Sequence, residues 1–303
     1  MEAGIRPPFL STKLPTGSVD IKMGFKTTLG LTLFAMASAV GVPPAGASPW
    51  SEAREPTAGA AQPIGGPANG CIAGAKALPL EGQGYEAIRV SRRRYFAHPG
   101  TVAFVERLGR EAKATGLEIF YVGDLSQPRG GPMPNGHGSH QTGLDVDIWF
   151  TLYPKPKLAS NAREQVFLPS MLRADKQEPD PAHFGAAQIR LLKLAAADPA
   201  VDRIFVNPAI KRALCASEPN RAWLHRLRPW WGHDEHFHVR LSCPPGAASC
   251  IGQAPMPPGD GCDASLAWWF EPKPTVPAPA PSAPPKPKPP LPAACKAVEA
   301  GRS

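Results

Sequence analysis

Residues 135–148, NGHGSHQTGLDVDI, and residues 232–241, GHDEHFHVRL, hold five of the eight histidines of this 303-residue chain. The first stretch also supplies Asp145 and Asp147. Imidazole and carboxylate groups are ligands that zinc prefers in proteins, and histidines scattered over a surface would not cluster in this way. The two stretches therefore predict a metal site built from distant parts of the chain, which the fold must bring together.

The second stretch contains an H-x-H pattern within a predicted strand at 236–241. Alternate residues of a strand share a face, so His236 and His238 should point one way while Phe237 and Val239 point into the core. The spacing thus predicts two imidazoles directed at one site.

The first stretch has a matching D-x-D pattern in the strand predicted over 144–150. Asp145 and Asp147 should share a face of that strand, and His140 precedes them across a turn at Gly143. Histidine and aspartate ligands without thiolates are typical of catalytic zinc, which keeps one position open for water. A histidine near the metal that is not a ligand would then serve as the proton acceptor.

The rest of the chain predicts an α+β fold, with a small antiparallel sheet, flanking helices, long loops and a disulfide-tied C-terminal region. Apolar periodicity and turn residues mark the elements. Strands are predicted at 85–90, 117–122, 144–150, 203–207 and 236–241, and helices at 99–115, 186–197, 208–215 and 221–227.

Residues 1–47 have the layout of a secretory signal peptide, with Lys22 and Lys26 before the apolar run 29–42 and a small-residue cleavage site at 45–47. The run is short for a membrane span, although an uncleaved anchor is the alternative. Translation starting at Met23 would still give a complete signal. We therefore expect export to the periplasm and no stable membrane insertion after cleavage.

All six cysteines follow the predicted cleavage site, which favours three disulfides in an oxidising compartment and leaves their pairing open.

Composition divides the mature chain into three parts. Residues 48–70, rich in Ala, Gly and Pro, are predicted to be a flexible linker, 71–270 one compact domain, and 271–303 a Pro-rich tail.

The chain carries a formal charge of +8, and residues 1–47 contribute four basic and two acidic side chains, so +6 remains after cleavage. A basic exported protein suits an anionic polymer such as the cell wall, although a solvated surface also accounts for a modest excess. Basic runs interleaved with aromatic residues are absent from the sequence, so nucleic acid is not expected as a partner.

The pattern S-H-x-x-G-x-x-x-D over residues 139–147, with H-x-H at 236–238, resembles the zinc peptidases related to lysostaphin, D-Ala-D-Ala peptidases and hedgehog domains. Within that group, GDLSQPRGG, HGSHQTGLDVDIW, RIFVNPAIK and RPWWGHDEHFHVRL closely resemble the penicillin-insensitive murein endopeptidases of Gram-negative bacteria. The similarity covers residues 71–262.

This resemblance implies that His140, Asp147 and His238 bind the catalytic zinc and that His236 is the catalytic base or stabilises the transition state. Related dipeptidases place a glutamate where Glu235 stands, but strand alternation sends Glu235 to the other face, so His236 is preferred.

Other polar residues are predicted to support the site. The resemblance implies a second metal bound by His137, Asp180 and His183, while His233 and Asp145 are expected to orient the ligands. The alternative is that these are ordinary loop residues.

Arg129 and Gln127 lie in the glycine-rich loop beside the predicted metal site. A guanidinium group matches a carboxylate with two parallel hydrogen bonds, so both residues are predicted to bind substrate. Capping of a turn is the alternative.

The function implied by the resemblance is a zinc-dependent D,D-endopeptidase that cleaves D-Ala to meso-diaminopimelate crosslinks in peptidoglycan and is insensitive to penicillin. The alternatives are a D,D-carboxypeptidase or D-Ala-D-Ala dipeptidase on the same scaffold, or a wall-binding module without catalysis. The sequence leaves the oligomeric state open.

Overall fold

A seven-stranded sheet carries both histidine stretches in a computed structural model that describes residues 48–134, 137–153, 158–271 and 289–302. The predicted signal peptide and most of the Pro-rich tail lie outside the described residues. The strands are β1 (Gln62–Gly66), β2 (Asn69–Ala73), β3 (Lys76–Ala77), β4 (Glu81–Gly82), β5 (Tyr85–Ala87), β6 (Phe96–Ala97), β7 (Ile119–Val122), β8 (Asp145–Tyr153), β9 (Val201–Val206), β10 (Leu227–Pro229) and β11 (His236–Leu241).

The helices surround this sheet. They are α1 (Pro49–Glu52), α2 (Pro99–Ala114), α3 (Ser160–Glu164), α4 (Ala186–Ala197), α5 (Pro208–Ser217), α6 (Ala264–Ala267) and α7 (Cys295–Glu299), with 3-10 turns at Val90–Arg92, Ala222–Arg226 and Trp268–Phe270. The predicted α+β class is therefore confirmed.

The strand order in the main sheet is β10-β9-β11-β8-β7-β5-β4. Neighbouring strands pair antiparallel except β10 with β9 and β7 with β5, which are parallel. Two antiparallel pairs, β1 with β2 and β3 with β6, complete the described strands. Because β8 and β11 lie side by side at the centre, the two histidine stretches become neighbours.

One face of the central strands packs against helices. Val146 and Ile148 of β8 and Phe237 and Val239 of β11 are fully buried in the core that also contains the apolar sides of α2 and α4. Strand alternation then directs the intervening residues to the opposite face. The predicted division of the H-x-H strand into a core face and a site face is thus present in the structure.

Residues 48–70 differ from the predicted linker because they contain α1 and β1. Trp50 and Ile64 are buried in a small cluster with Cys71, Cys295 and Val298 of α7. The described end of the chain is therefore docked on the hairpin of β1 and β2. Composition alone could not predict this packing, since the cluster needs a helix from the opposite end of the chain.

The three predicted disulfides are present, and they join Cys71 to Cys295, Cys215 to Cys262, and Cys243 to Cys250. The last two tie down the region after β11, as expected for a disulfide-tied C-terminal part. Within the described ranges, helices long and apolar enough to cross a membrane are lacking.

Candidate metal centre

Three histidines converge on one carboxylate oxygen at the centre of the sheet. Asp147 of β8 and His238 of β11 are directly paired across the strands. Asp147 Oδ1 lies 3.1 Å from His238 Nδ1, 3.4 Å from His140 Nε2 and 3.8 Å from His236 Nε2. The fold thus brings together the four residues predicted as catalytic ligands and base.

The loop before β8 holds His140 in place. The backbone of His140 has a left-handed φ of 67°, and its N–H donates to Asp145 Oδ2 at 2.8 Å. The turn ends at Gly143, whose φ is 69° and where a Cβ would lie only 2.7 Å from Ile72 Cδ1. Glycine is therefore favoured where the loop turns into the strand.

The donor atoms at this point lack hydrogen-bond partners within the described chain. Both ring nitrogens of His140, Asp147 Oδ1 and His236 Nδ1 are buried without one. The contacts of Asp147 Oδ1 with His238 Nδ1 at 3.1 Å and with His140 Nε2 at 3.4 Å both lack hydrogen-bond geometry. Buried polar groups are normally satisfied, and a metal ion would satisfy these. Donor atoms of His137, His140 and Asp147 lie within 4.8 Å of one another, so the residues fit a bound cation.

Asp145 orients His238 for such a role. Its Oδ1 lies 3.2 Å from His238 Nε2, and Arg240 donates Nε–H and a guanidinium N–H to the two carboxylate oxygens at 2.6 and 3.1 Å. Burial would raise the pKa of Asp145, but Arg240 and His238 hold it well below its usual value. This contact leaves His238 Nδ1 facing Asp147, as in other carboxylate-histidine pairs that bind metals.

The pKa of His238 reflects the same surroundings. Burial alone would lower it, but the carboxylates of Asp145 and Asp147 raise it to about 9. A histidine must lose its proton to bind a metal. Metal binding at neutral pH should therefore release a proton from this histidine.

A third carboxylate, Asp124, was missed by the sequence analysis. Its Oδ2 lies 3.0 Å from His137 Nε2 and accepts a hydrogen bond of 2.8 Å from Arg94, which leaves His137 Nδ1 3.7 Å from Asp147 Oδ2. Burial would raise the pKa of Asp124, but His137 and Arg94 lower it. The position of Asp124, two residues after β7 at the edge that faces the metal loop, was the available sequence signal.

The centre opens into a cleft of about 600 Å³. His236, His238 and Asp147 line this cleft together with Trp230 and Trp231. Burial lowers the pKa of His236, so its imidazole is neutral near pH 7 and able to accept a proton. A neutral base therefore stands beside the predicted ligands and within reach of a molecule in the cleft.

Comparison with known proteins identifies the family. A sequence model described as penicillin-insensitive murein endopeptidase matches residues 63–300. The chain belongs to this family. The endopeptidase of that name from Haemophilus influenzae is 45% identical over 256 residues, covering 83% of this chain and 87% of that protein. Those from Klebsiella pneumoniae and Yersinia enterocolitica are each 44% identical, covering 83% of this chain and 91% and 90% of their own lengths.

The match confirms the predicted family, and it extends beyond the 71–270 domain at both ends, to 63 and 300. This agrees with the docking of β1 and α7 on the rest of the fold. Family sequence therefore begins before Cys71 and continues beyond Phe270.

Two of the predicted second-metal ligands lie away from the candidate metal centre. Asp180 and His183 stand on the loop before α4, where His183 Nδ1 is 3.5 Å from Asp180 Oδ2. Neither residue belongs to the group of close donor atoms or lines the cleft. A second metal shared by them and His137 stays a prediction.

His233 does not take part in the convergence on Asp147. Its Nδ1 lies 2.9 Å from the Trp231 carbonyl oxygen, and its ring is 5.1 Å from that of His236. Burial, with His236 and His238 nearby, lowers its pKa to about 4. His233 is thus a neutral neighbour of His236, and its role in orienting the ligands stays a prediction.

Arg129 and Gln127 donate to main-chain carbonyl groups, which favours a structural role over substrate binding. Arg129 donates to the carbonyl oxygens of Glu55 and Glu299 at 3.1 and 2.8 Å, so it joins the two ends of the described chain. Gln127 is buried and its amide donates to Gly130 and Pro132, which shapes the loop. Neither residue lines the cleft, and we attribute a structural rather than a substrate-binding role to both.

The geometry predicts that Asp145→Asn weakens the affinity for added zinc by roughly 10- to 100-fold. The amide keeps the shape of the side chain, but it removes the charge that holds Arg240. It also replaces one of the two acceptor oxygens with an NH2 donor, so the contacts with His238, Arg240 and the His140 N–H cannot all be kept. Competition with a fluorescent zinc chelator at neutral pH measures the effect. Asp202→Asn, which removes an aspartate paired with Arg203 outside the cleft, is the control, and an Asp145→Asn affinity within twofold of that control would refute the orienting role.

Proposed function

We propose that this protein is a zinc-dependent D,D-endopeptidase that cleaves the bond between D-Ala and meso-diaminopimelate in crosslinked peptidoglycan and is insensitive to penicillin. The observation that carries the proposal is the convergence of His140, Asp147 and His238 on one point in an open cleft. The family to which the chain belongs, and the names of its relatives, supply the substrate class.

Different residues of the centre have different roles in the proposed hydrolysis. His140 Nε2, Asp147 Oδ1 and His238 Nδ1 would hold the zinc ion, with Asp145 fixing the ring of His238. A zinc ion bound there supplies Lewis-acid activation of water and of the scissile carbonyl. His236, neutral and next to these ligands, takes up the proton that the nucleophile loses and passes it to the leaving amine.

Glu235 is less suited to the role of base. Its side chain is exposed and does not line the cleft, and its carbonyl oxygen accepts a hydrogen bond from Phe150 N–H at the entrance to β11. His236 faces Asp147 at 3.8 Å. The preference for His236 therefore rests on position as well as on strand alternation.

Insensitivity to penicillin follows from this chemistry. Penicillins act by acylating a serine nucleophile, and the chain contains neither a G-x-S-x-G nor an S-x-x-K sequence. The proposed cleavage needs no acyl-enzyme.

The proposed location is the periplasm. The N-terminal 47 residues have the composition of a signal peptide, and all six cysteines are paired in disulfides, which persist in an oxidising compartment. Peptidoglycan lies in that compartment, so the enzyme and the proposed substrate would meet there.

Mass spectrometry of digested muropeptides tests the proposal and separates it from its alternatives. With the zinc-loaded protein, crosslinked dimers should disappear while monomers with intact stems accumulate, and penicillin should not change the rate. Loss of terminal D-Ala alone would indicate a carboxypeptidase, release of free D-Ala-D-Ala a dipeptidase, and unchanged muropeptides a wall-binding module.

A further inference from the structure

Four of the seven tryptophans of the chain gather on one side of the cleft. This aromatic platform consists of Trp230, Trp231, Trp268 and Trp269. The ring of Trp269 lies 6.3 Å from Trp230, 4.9 Å from Trp231 and 5.2 Å from Trp268. A cluster of this size at the surface is unusual, because large aromatic side chains are normally placed where most of their area is covered.

Three of the four platform tryptophans are exposed, and the fourth packs against the core. Trp230, Trp231 and Trp268 are 54%, 52% and 50% exposed, whereas Trp269 is partly buried against the core. Along the described chain, these three account for half of the large apolar side chains that are exposed. The structure therefore presents broad aromatic faces to solvent on a supported base.

The platform is continuous with the metal centre. Trp230 and Trp231 line the cleft that also holds His236 and His238. Phe205 connects the two regions, with its ring 5.4 Å from His238 and 5.9 Å from Trp230. A molecule that reaches from the reaction site along this side must pass over the tryptophans.

The two chain segments that carry the platform tryptophans are both anchored to the rest of the fold. Trp230 N–H donates to the Val206 carbonyl oxygen, and the Asn207 side-chain amide donates to Gly232, which anchors the first pair to the end of β9. The Cys215–Cys262 disulfide ties α5 to the segment that leads into the second pair. Such anchoring keeps the aromatic faces in position before a ligand arrives.

We propose that the aromatic platform is a subsite for the glycan of peptidoglycan, which binds an N-acetylated amino sugar while the attached stem peptide occupies the cleft. This inference rests on the proposed function, because peptidoglycan is its source of the ligand. An extended stem of four residues spans about 14 Å, so the sugar at its end lies about that far from a crosslink held at the metal centre.

The chemistry of the platform fits this ligand. The face of an aromatic ring is electron-rich and attracts the polarised C–H groups on the flat side of a pyranose ring. N-acetylated sugars carry no charge on the ring, so they need broad apolar faces rather than lysine or arginine.

The test compares two crosslinked dimers, one carrying its disaccharides and one freed of sugar by an amidase. Wild-type zinc protein should show a higher kcat/KM on the dimer that carries sugar. Trp268 does not line the cleft. Trp268→Ala should lower the ratio of kcat/KM on the dimer that carries sugar to kcat/KM on the sugar-free dimer by about 5- to 10-fold. Trp268→Phe should keep most of the ratio, and Ile251→Ala, an exposed apolar side chain elsewhere, should leave it unchanged.

A second measurement does not depend on catalysis. Titration with a soluble oligomer of N-acetylglucosamine should change the tryptophan fluorescence of the wild-type protein and affect the Trp268→Ala variant more weakly. The proposed subsite would be refuted if Trp268→Ala left the ratio of the two kcat/KM values unchanged, or if the oligomer did not bind. If neither dimer is cleaved while the oligomer still binds, the proposed function fails and the glycan subsite stands.

Discussion

His140→Ala is expected to abolish stable zinc binding and to lower kcat/KM on crosslinked muropeptides by at least about 10³-fold, equivalent to about 4 kcal/mol of transition-state stabilisation. His140 is completely buried, and neither of its ring nitrogens has a hydrogen-bond partner within the described chain. Its removal therefore takes away a proposed ligand without breaking a side-chain hydrogen bond of the fold. Metal content by mass spectrometry and cleavage rates measure the two effects.

A stability measurement separates loss of the metal from loss of the fold. Zinc at 1,000 times its dissociation constant should raise the free energy of unfolding of the wild-type protein by about 4 kcal/mol, and that of His140→Ala hardly at all. His225→Ala, which removes an exposed histidine bonded to its own turn, should behave as the wild type. Retained zinc and activity in His140→Ala would contradict the assignment of the centre.

The sequence could predict the members of the centre because strand alternation is local. The H-x-H and D-x-D spacings place His236 with His238 and Asp145 with Asp147 on shared faces whatever the rest of the fold does. The register that sets Asp147 opposite His238 is a tertiary feature. Proximity of the two stretches could be expected from the sequence only because a metal site needs ligands from both.

The residues that the sequence analysis missed or misassigned depend on contacts between distant segments. Asp124 reaches the centre through its contact with His137, and no periodic pattern marks it. The partners of Arg129 are carbonyl groups from residues 55 and 299. A loop arginine beside a glycine-rich turn looks the same in sequence whether it binds a substrate or the end of its own chain.

Composition could not predict the packing of residues 48–70 for a related reason. The linker was predicted because residues 48–70 contain few large side chains to bury. The hairpin of β1 and β2 is nevertheless packed, because α7 supplies its apolar partners. This hairpin also touches the metal loop, since Gln141 N–H donates to the Pro67 carbonyl and the Gln141 side chain bonds to Gly70 N–H and the Ala68 carbonyl. The C-terminal segment therefore supports the loop that carries His140.

Replacing both Cys71 and Cys295 by serine is expected to lower the free energy of unfolding by about 5 kcal/mol, because the disulfide closes a loop between residues 224 apart. Without it α7 should detach from the hairpin, and the affinity for zinc should fall as the loop around His140 loosens. Chemical denaturation of the zinc-free protein and chelator competition measure these effects.

The Cys243–Cys250 disulfide provides the matched control, since its cysteines are only seven residues apart. By the same loop-entropy argument, its removal should lower the free energy of unfolding by roughly 2 to 3 kcal/mol and leave zinc affinity nearly unchanged. Equal losses of stability and affinity in the two double variants would mean that the C-terminal segment does not brace the metal loop. A selective loss in the Cys71 and Cys295 variant would make α7 a part of the architecture on which His140 depends.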